Sequence, residues 1–161
     1  MDAETTLQYR RALGCFATGV VIVTAPDAEG PVGLVVNSFT SVSLHPPLVL
    51  YCLGDQSDRG VFFRDAERYV INILGDEAEA LAARYAGRGR HRLDADDLHA
   101  TEDGLPGVQG ALTRLSCRAR QRTPIADHLA IVGEVERFET HPGDGLTYFR
   151  GRYGRALSPE T

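Results

Sequence analysis

Short runs of β-branched and aromatic residues separated by short polar breaks dominate the chain, a rhythm of strands rather than helices. Residues 20–25 are apolar at almost every position and predict a central strand covered on both faces. Pro26-Asp27-Ala28-Glu29-Gly30 has turn chemistry and predicts a hairpin returning along residues 32–36. Residues 48–53 and 69–74 read as further strands, and 112–120 with 128–138 as an antiparallel pair joined by a turn at 122–127. Residues 146–153 read as the last strand. Helical periodicity is confined to three places. Residues 7–17 predict a helix with Leu7, Leu13 and Phe16 inward, and a short helix runs through Phe62-Phe63 with Ser57 or Asp58 as cap. A third opens on the capping pair Asp76 and Glu79, places Ala78, Leu81, Ala82 and Tyr85 on one face, and closes at Gly87. Residues 87–110 have no period and predict a long surface loop. The sum is a mainly β chain with small helices (α+β), closing as an antiparallel barrel. It forms one domain over 1–161, with an ordered core of about 7–153 and a tail at 154–161.

One stretch breaks the rhythm. From Gly33 the chain is apolar to Val36, then runs Asn37-Ser38-Phe39-Thr40-Ser41-Val42-Ser43 before Pro46-Pro47. Unpaired polar groups on a buried strand cost about 1–3 kcal/mol each. Two readings account for the run: a strand end followed by a serine-rich turn, or a ledge of donors and acceptors facing a polar planar ligand.

Bulk properties narrow the choice of chemistry. The 161 residues carry a net charge of −5, which argues against a nucleic-acid partner. All 17 basic residues are arginine, so no Schiff-base lysine exists. Cys15, Cys52 and Cys117 are far apart, lack metal-ligand spacing and suit reduced, buried thiols. Met1-Asp2-Ala3-Glu4 lacks the plan of a signal peptide, and no apolar run approaches the ~20 residues of a membrane span. A cytoplasmic location without membrane attachment is expected. No strand–GxGxxG–helix unit occurs, so a dinucleotide would not bind in the Rossmann manner.

Several pieces occur together and in order: Gly14-Cys15-Phe16-Ala17-Thr18-Gly19-Val20, then 37–44 with Pro46-Pro47, then 69–74. Asp127-His128 ahead of Gly133-Glu134-Val135, and Gly151-Arg152-Tyr153, complete the set. From about Arg11 to Tyr153 the chain resembles the short-chain NAD(P)H:flavin reductases, the small components of two-component flavin-dependent monooxygenases. The resemblance implies a homodimeric, Greek-key-like split β-barrel holding FMN or FAD without a covalent bond. NADH or NADPH would donate hydride, and a separate monooxygenase would receive the reduced flavin. It further implies that Leu34, Val35, Val36, Asn37, Ser38, Thr40 and Ser41 line the flavin ring and ribityl chain. Gln56, Ser57 and Arg59 would fall at the phosphate end, with Tyr85 near the ring. Asp127, His128, Gly151, Arg152 and Tyr153 would lie near the nicotinamide. Three departures stand out: Val35 where Thr is usual, Ala126 where Gly is usual, and Asp58-Arg59 in the phosphate loop, where Asp58 should turn away and Arg59 supply the counter-charge.

Hydride transfer is chemistry the cofactors carry, so the chain needs ring positioning and donors rather than a nucleophile. His128 either bonds the nicotinamide or flavin edge or is tied to Asp127. The Arg84, Arg88, Arg90, Arg92 cluster either steers an anionic dinucleotide or is a solvated loop partly neutralised by Asp94, Asp96 and Asp97. His45, His91, His99 and His141 are expected to be solvated and not to group around a metal. Two rival functions remain: a split-barrel flavoprotein acting directly on a small organic substrate, and a flavin-binding protein without reductase turnover.

Overall fold

The structure, a computed structural model, describes residues 1–159. Helix α1 (Ala3–Leu13) leads into strands β1 (Thr18–Gly19), β2 (Val21–Ala25), β3 (Val32–Val36), β4 (Thr40–Leu44) and β5 (Pro47–Gly54). Helix α2 (Gly60–Phe63), strand β6 (Arg68–Leu74) and helix α3 (Glu79–Ala86) follow. The chain ends with β7 (Leu98–Ala100), β8 (Pro106–Val108), β9 (Ala111–Ile125), β10 (His128–Thr140), β11 (Gly145–Phe149) and β12 (Arg152–Ala156).

Seven strands pair antiparallel in the order β3-β2-β6-β9-β10-β5-β4. The two edges of this sheet, β3 and β4, are consecutive in the chain and joined only by Asn37, Ser38 and Phe39. From Val36 to Thr40 such a link reaches at most about 14 Å. The sheet must therefore curl until its edges nearly meet, which is the closed barrel expected. Ser38 stitches the seam: its Oγ accepts the Cys52 N–H of β5 at 3.0 Å.

Because β2 lies inside this sheet, alternate residues serve two cores. Val21 and Val23 join Leu34, Tyr51, Tyr69, Ile71 and Ile131 inside the barrel. Val20 and Ile22 face outward onto Leu81, Ala82 and Tyr85 of α3 and Leu146 of β11. That is why the segment reads apolar throughout. The long β9–β10 ribbon crosses the barrel with irregularities at Val132/Gly133 and Val135/Arg137. A side chain at Gly133 would overlap the Tyr69 hydroxyl, so only glycine lets the ribbon pack there.

Six local expectations are corrected. The first helix runs Ala3–Leu13 and buries nothing: Leu7, Leu13 and Phe16 are exposed, Phe16 at 77%, because no other part of the chain lies against them. Asp76 does not cap, pairing instead with Arg155 at 2.9 Å, and of the two candidates for the second helix Asp58 pairs with Arg59 at 2.8 Å while Ser57 Oγ accepts the Arg59 N–H at 3.2 Å just ahead of Gly60. Residues 87–110 are not all loop, for β7 and β8 form a hairpin anchored by buried Asn72, whose Oδ1 accepts the Val108 N–H at 3.0 Å. Thr24 Oγ1 adds a bond to the Pro106 carbonyl. The 122–127 turn shrinks to Ala126-Asp127, with Ala126 at φ 50°. Finally, the last strand is two, β11 and β12, folded back at Arg150-Gly151 with φ 49° and 80°. Cys15, expected buried, is exposed, while burial pushes the Cys117 thiol up to about 12.

Candidate functional site

The seam between β3 and β4 is the part of the barrel wall whose backbone is unpaired. Among the described residues, the N–H groups of Asn37, Ser38 and Phe39 make no hydrogen bond within the chain. The Asn37 carboxamide is exposed and unpartnered as well. Unpaired backbone donors on a sheet edge are strong binding groups waiting for an acceptor. Thr40 and Ser41 follow on the exposed edge strand β4, with Thr40 Oγ1 making only a local bond to the Ser41 carbonyl at 3.2 Å.

Beside the seam lies an open cleft of about 510 Å³ walled by Val35, Val36, Asn37, Ala86, Tyr148 and Tyr153. Tyr148 and Tyr153 are direct cross-strand partners of β11 and β12, their rings 5.4 Å apart in an edge-to-face arrangement. The cleft thus brings Val35, Val36 and Asn37 together with Tyr153, residues expected at the flavin and at the nicotinamide respectively. Leu34 is buried behind them. A single strand over 146–153, as the sequence predicts, gives no reason to set Tyr148 beside Tyr153. Read as a hairpin about Arg150-Gly151, the same residues place Tyr148 opposite Tyr153.

A second group gathers at the far end of β5. Asp55 N donates to the Asp127 carbonyl at 2.9 Å, and His128 is the ladder partner of Gly54. Gln56 and Ser57 therefore sit next to Asp127 and His128. A methyl at Gly54 would lie 3.6 Å from His128 Nε2, so the imidazole covers the glycine. His128 Nδ1 is 2.9 Å from Asp127 Oδ1, so that nitrogen has the turn partner of the second reading. The same bond holds the Asp127 carboxyl below the usual carboxylate range. Gly151 and Arg152, at the β11–β12 turn, lie apart from this group.

Two expected ligand residues are otherwise engaged. Arg59 is 6% exposed, and its guanidinium donates to the carbonyls of Gly33 (3.2 Å), Tyr85 (2.9 Å), Gly87 (2.5 Å) and Arg90 (3.2 Å). It also pairs with Asp58, whose other oxygen accepts the Gly89 N–H at 2.8 Å. Asp58 and Arg59 together clamp the 87–90 loop onto β3, engaging four of the five guanidinium N–H groups and leaving one on Nη1. Tyr85 is buried, donating to Asp97 at 2.6 Å and accepting from Asp94 N at 2.9 Å, so its ring is core and not cleft wall. Neither was legible locally, because every partner comes from another part of the chain. Ser38 is half engaged, through the Cys52 stitch.

The loop arginines divide. Arg84 pairs with Asp97 at 2.6 Å, and Arg92 with Asp27 at 2.6 Å while lying over the Phe62 ring. Arg88 and Arg90 are exposed. The other histidines are less free than expected: His91 stacks on Phe62, and His99 lies 3.4 Å from Glu139. Among the described residues no three His, Cys, Asp or Glu side chains are grouped to hold a metal ion.

A split antiparallel barrel whose seam offers unpaired donors beside an aromatic-rimmed cleft defines a protein that holds a flat, polar-edged ring. Within that class the chain belongs to the flavin reductase like domain family, whose model matches residues 13–157. An FMN reductase (NADH) of Agrobacterium fabrum is 41% identical over 152 residues, covering 94% of this chain and 87% of the relative. The reductase component of a 4-nitrophenol 4-monooxygenase/4-nitrocatechol 2-monooxygenase of Rhodococcus opacus is 34% identical, covering 91% and 79%. Among solved structures, a Streptomyces globisporus NADH:FAD oxidoreductase in complex with NAD and FAD fragments matches with a TM-score of 0.89 at 32% identity, covering 99% of this chain and 97% of that one.

Proposed function

We propose that the protein is an NADH-dependent flavin reductase that passes reduced flavin to a separate monooxygenase. The observation that carries this reading is the row of unpaired donors at Asn37, Ser38 and Phe39 beside the Tyr148–Tyr153 cleft. It is joined by the chain's family and by its likeness to NADH-dependent reductases, among them a monooxygenase reductase component.

A bound flavin supplies the hydride acceptor and a dihydronicotinamide the donor. The residues present fit such a ring: apolar Val35 and Val36 and the two tyrosines suit its faces, and the seam N–H groups with the Asn37 amide suit its carbonyl and nitrogen edge. Fixed donors aimed where negative charge grows favour reduction without any acid, base or nucleophile from the chain. Thr40, Ser41, Gln56 and Ser57 offer further polar contacts, and His128, held through Nδ1 by Asp127, places Nε2 over Gly54. Among the described residues no helix is long and apolar enough to cross a membrane.

A homodimer belongs to the same reading. Leu7, Leu13 and Phe16, together with Leu44 and Phe138, are exposed in the single chain, an apolar load suited to burial by a second copy. Light scattering on the purified chain tests this.

For the activity, NADH oxidation is followed with FMN, FAD or no flavin added. Turnover that requires added flavin is the expected result. A tightly held yellow cofactor with no flavin-dependent NADH oxidation would overturn the proposal in favour of direct action on an organic substrate or of flavin carriage.

A further inference from the structure

We propose that Arg10, Arg11 and Arg150 form a binding site for the phosphate groups of a substrate whose ring occupies the adjoining Tyr148–Tyr153 cleft. The inference rests on the flavin reductase reading and deepens it.

The first ground is charge. Of the 17 arginines, Arg10, Arg11, Arg88, Arg90, Arg150 and Arg152 have no carboxylate within 4.0 Å among the described residues, and every other one does. Four of those six cluster where the end of α1 meets the β11–β12 turn. In a chain of net charge −5, carboxylates are abundant, yet among the described residues none pairs with these arginines.

The second ground is construction. Arg150 N donates to the Gly14 carbonyl at 2.8 Å, and Gly14 N to the Arg10 carbonyl at 2.9 Å. A methyl on Gly14 would stand 3.5 Å from Arg150 Cα, so helix end and turn touch. Arg10, Arg11 and Arg150 thereby rim one open cleft of about 780 Å³. The Arg150 guanidinium also lies over the Phe149 ring, 5.2 Å from its centroid. Arg10 and Arg11 in the last turn complement the carbonyls of α1, as basic residues often do. That account leaves out Arg150, which comes from a different element.

The third ground is continuity. Tyr148 faces Tyr153 across the hairpin, Phe149 faces Arg152 at the next position, and the turn bearing Arg150 follows directly. Successive ladder positions face opposite ways, so Phe149 and the guanidinium over it lie on the other face from the tyrosines, and a ligand whose ring lies against the tyrosines brings its phosphates to these cations by passing round the turn at Arg150-Gly151. Arg59, the expected counter-charge, is buried and has four of its five N–H groups held by carbonyls and Asp58. Guanidinium groups suit phosphate by their forked donors.

Phosphate could reach this corner from flavin mononucleotide or from the nicotinamide dinucleotide, and the test separates them. The full chain and the variant R10Q/R11Q/R150Q are compared with NADH against dihydronicotinamide riboside, and with FMN against riboflavin. The expected result is that KM for one phosphate-bearing substrate rises about tenfold while its phosphate-free counterpart moves less than about twofold. A rise confined to the first pair assigns the dinucleotide, and one confined to the second assigns the flavin. Equal changes within both pairs, or none, overturn the site. So does an altered oligomeric state with unchanged KM ratios, which would make these arginines interface cations. Should the variant fold poorly, salt decides: with the unaltered chain, the KM of the phosphate-bearing partner should climb with ionic strength and that of its counterpart stay flat. A flat response in both members overturns the site. Calorimetric titration with inorganic pyrophosphate needs no turnover. A chain that binds pyrophosphate in a manner the variant loses, yet oxidises no NADH with flavin, keeps the site and refutes the reductase reading.

Discussion

The clamp around Arg59 and the seam at Asn37 are both polar, and both lie where a strand runs out of apolar residues. Their hydrogen-bond balances are opposite. Arg59 sits almost fully buried with four of its five N–H groups held by carbonyls and Asp58. Asn37 is exposed, its amide and the following N–H groups unpaired. Both carry an expected ligand role from the sequence, Asn37 in the ledge of donors and Arg59 as counter-charge. The structure separates the two, because what a polar group offers a ligand is only what the fold has left unengaged.

The most severe way to break this contrast is Arg59→Met. It strips donors from buried carbonyls and leaves Asp58 unpaired, and should cost about 3 kcal/mol or more. The thermal midpoint should drop by roughly 6–12 °C. A variant of normal stability that had merely lost flavin affinity would restore Arg59 as a ligand group. Asn37→Ala should do the reverse: stability within about 0.5 kcal/mol of the parent, and flavin KM raised about tenfold, equivalent to about 1.4 kcal/mol. Denaturant titration paired with flavin-dependent NADH oxidation reads both.

Ser38→Ala and Thr40→Ala sharpen the comparison within the seam itself. Ser38 accepts the Cys52 N–H, so its loss should cost about 1 kcal/mol of stability. Thr40 bonds only its neighbour and should change stability little. Equal midpoints for the two single variants would remove the stitch from the account. The smallest effect concerns pH. The Gly89 N–H bonded to Asp58 holds that carboxyl below the usual carboxylate range. A group depressed in the folded state stabilises it above the ordinary value of about 4, and that contribution fades as pH falls through the lower folded value. Asp58→Asn should flatten this acid limb, seen as faster amide exchange at Gly89 that no longer depends on pH between about 3 and 5 once intrinsic exchange is corrected.

What was legible in the sequence was whatever depends on neighbours a few residues away. The two-faced apolar run of β2, the hairpin through Gly30 and the stripe Ala78, Leu81, Ala82, Tyr85 follow from period and turn chemistry, and all appear as expected. Asn37 and Tyr153 were also reached, through family likeness, and meet in one cleft. What was hidden depends on distant partners. Helical spacing in α1 reveals an apolar side but not whether anything covers it. Asp76 has the position of a cap, yet Arg155, far along the chain, draws its carboxylate away. Arg59 looks like a surface cation until two separate segments, β3 and residues 85–90, turn their carbonyls toward it. The fold at Arg150-Gly151 was missed because a non-glycine residue takes positive φ at the turn.

The three-residue link between the outermost strands has a consequence for tolerated changes in length. Most connections on this barrel border solvent and have slack, so an added residue there costs little. Between Val36 and Thr40 an extra residue would either bulge outward or push β4 one place along β5, exchanging the side held by Thr40 and Ser43 with the side held by Ser41 and Leu44. Natural variation in size should therefore gather in outlying loops and leave this join at constant length.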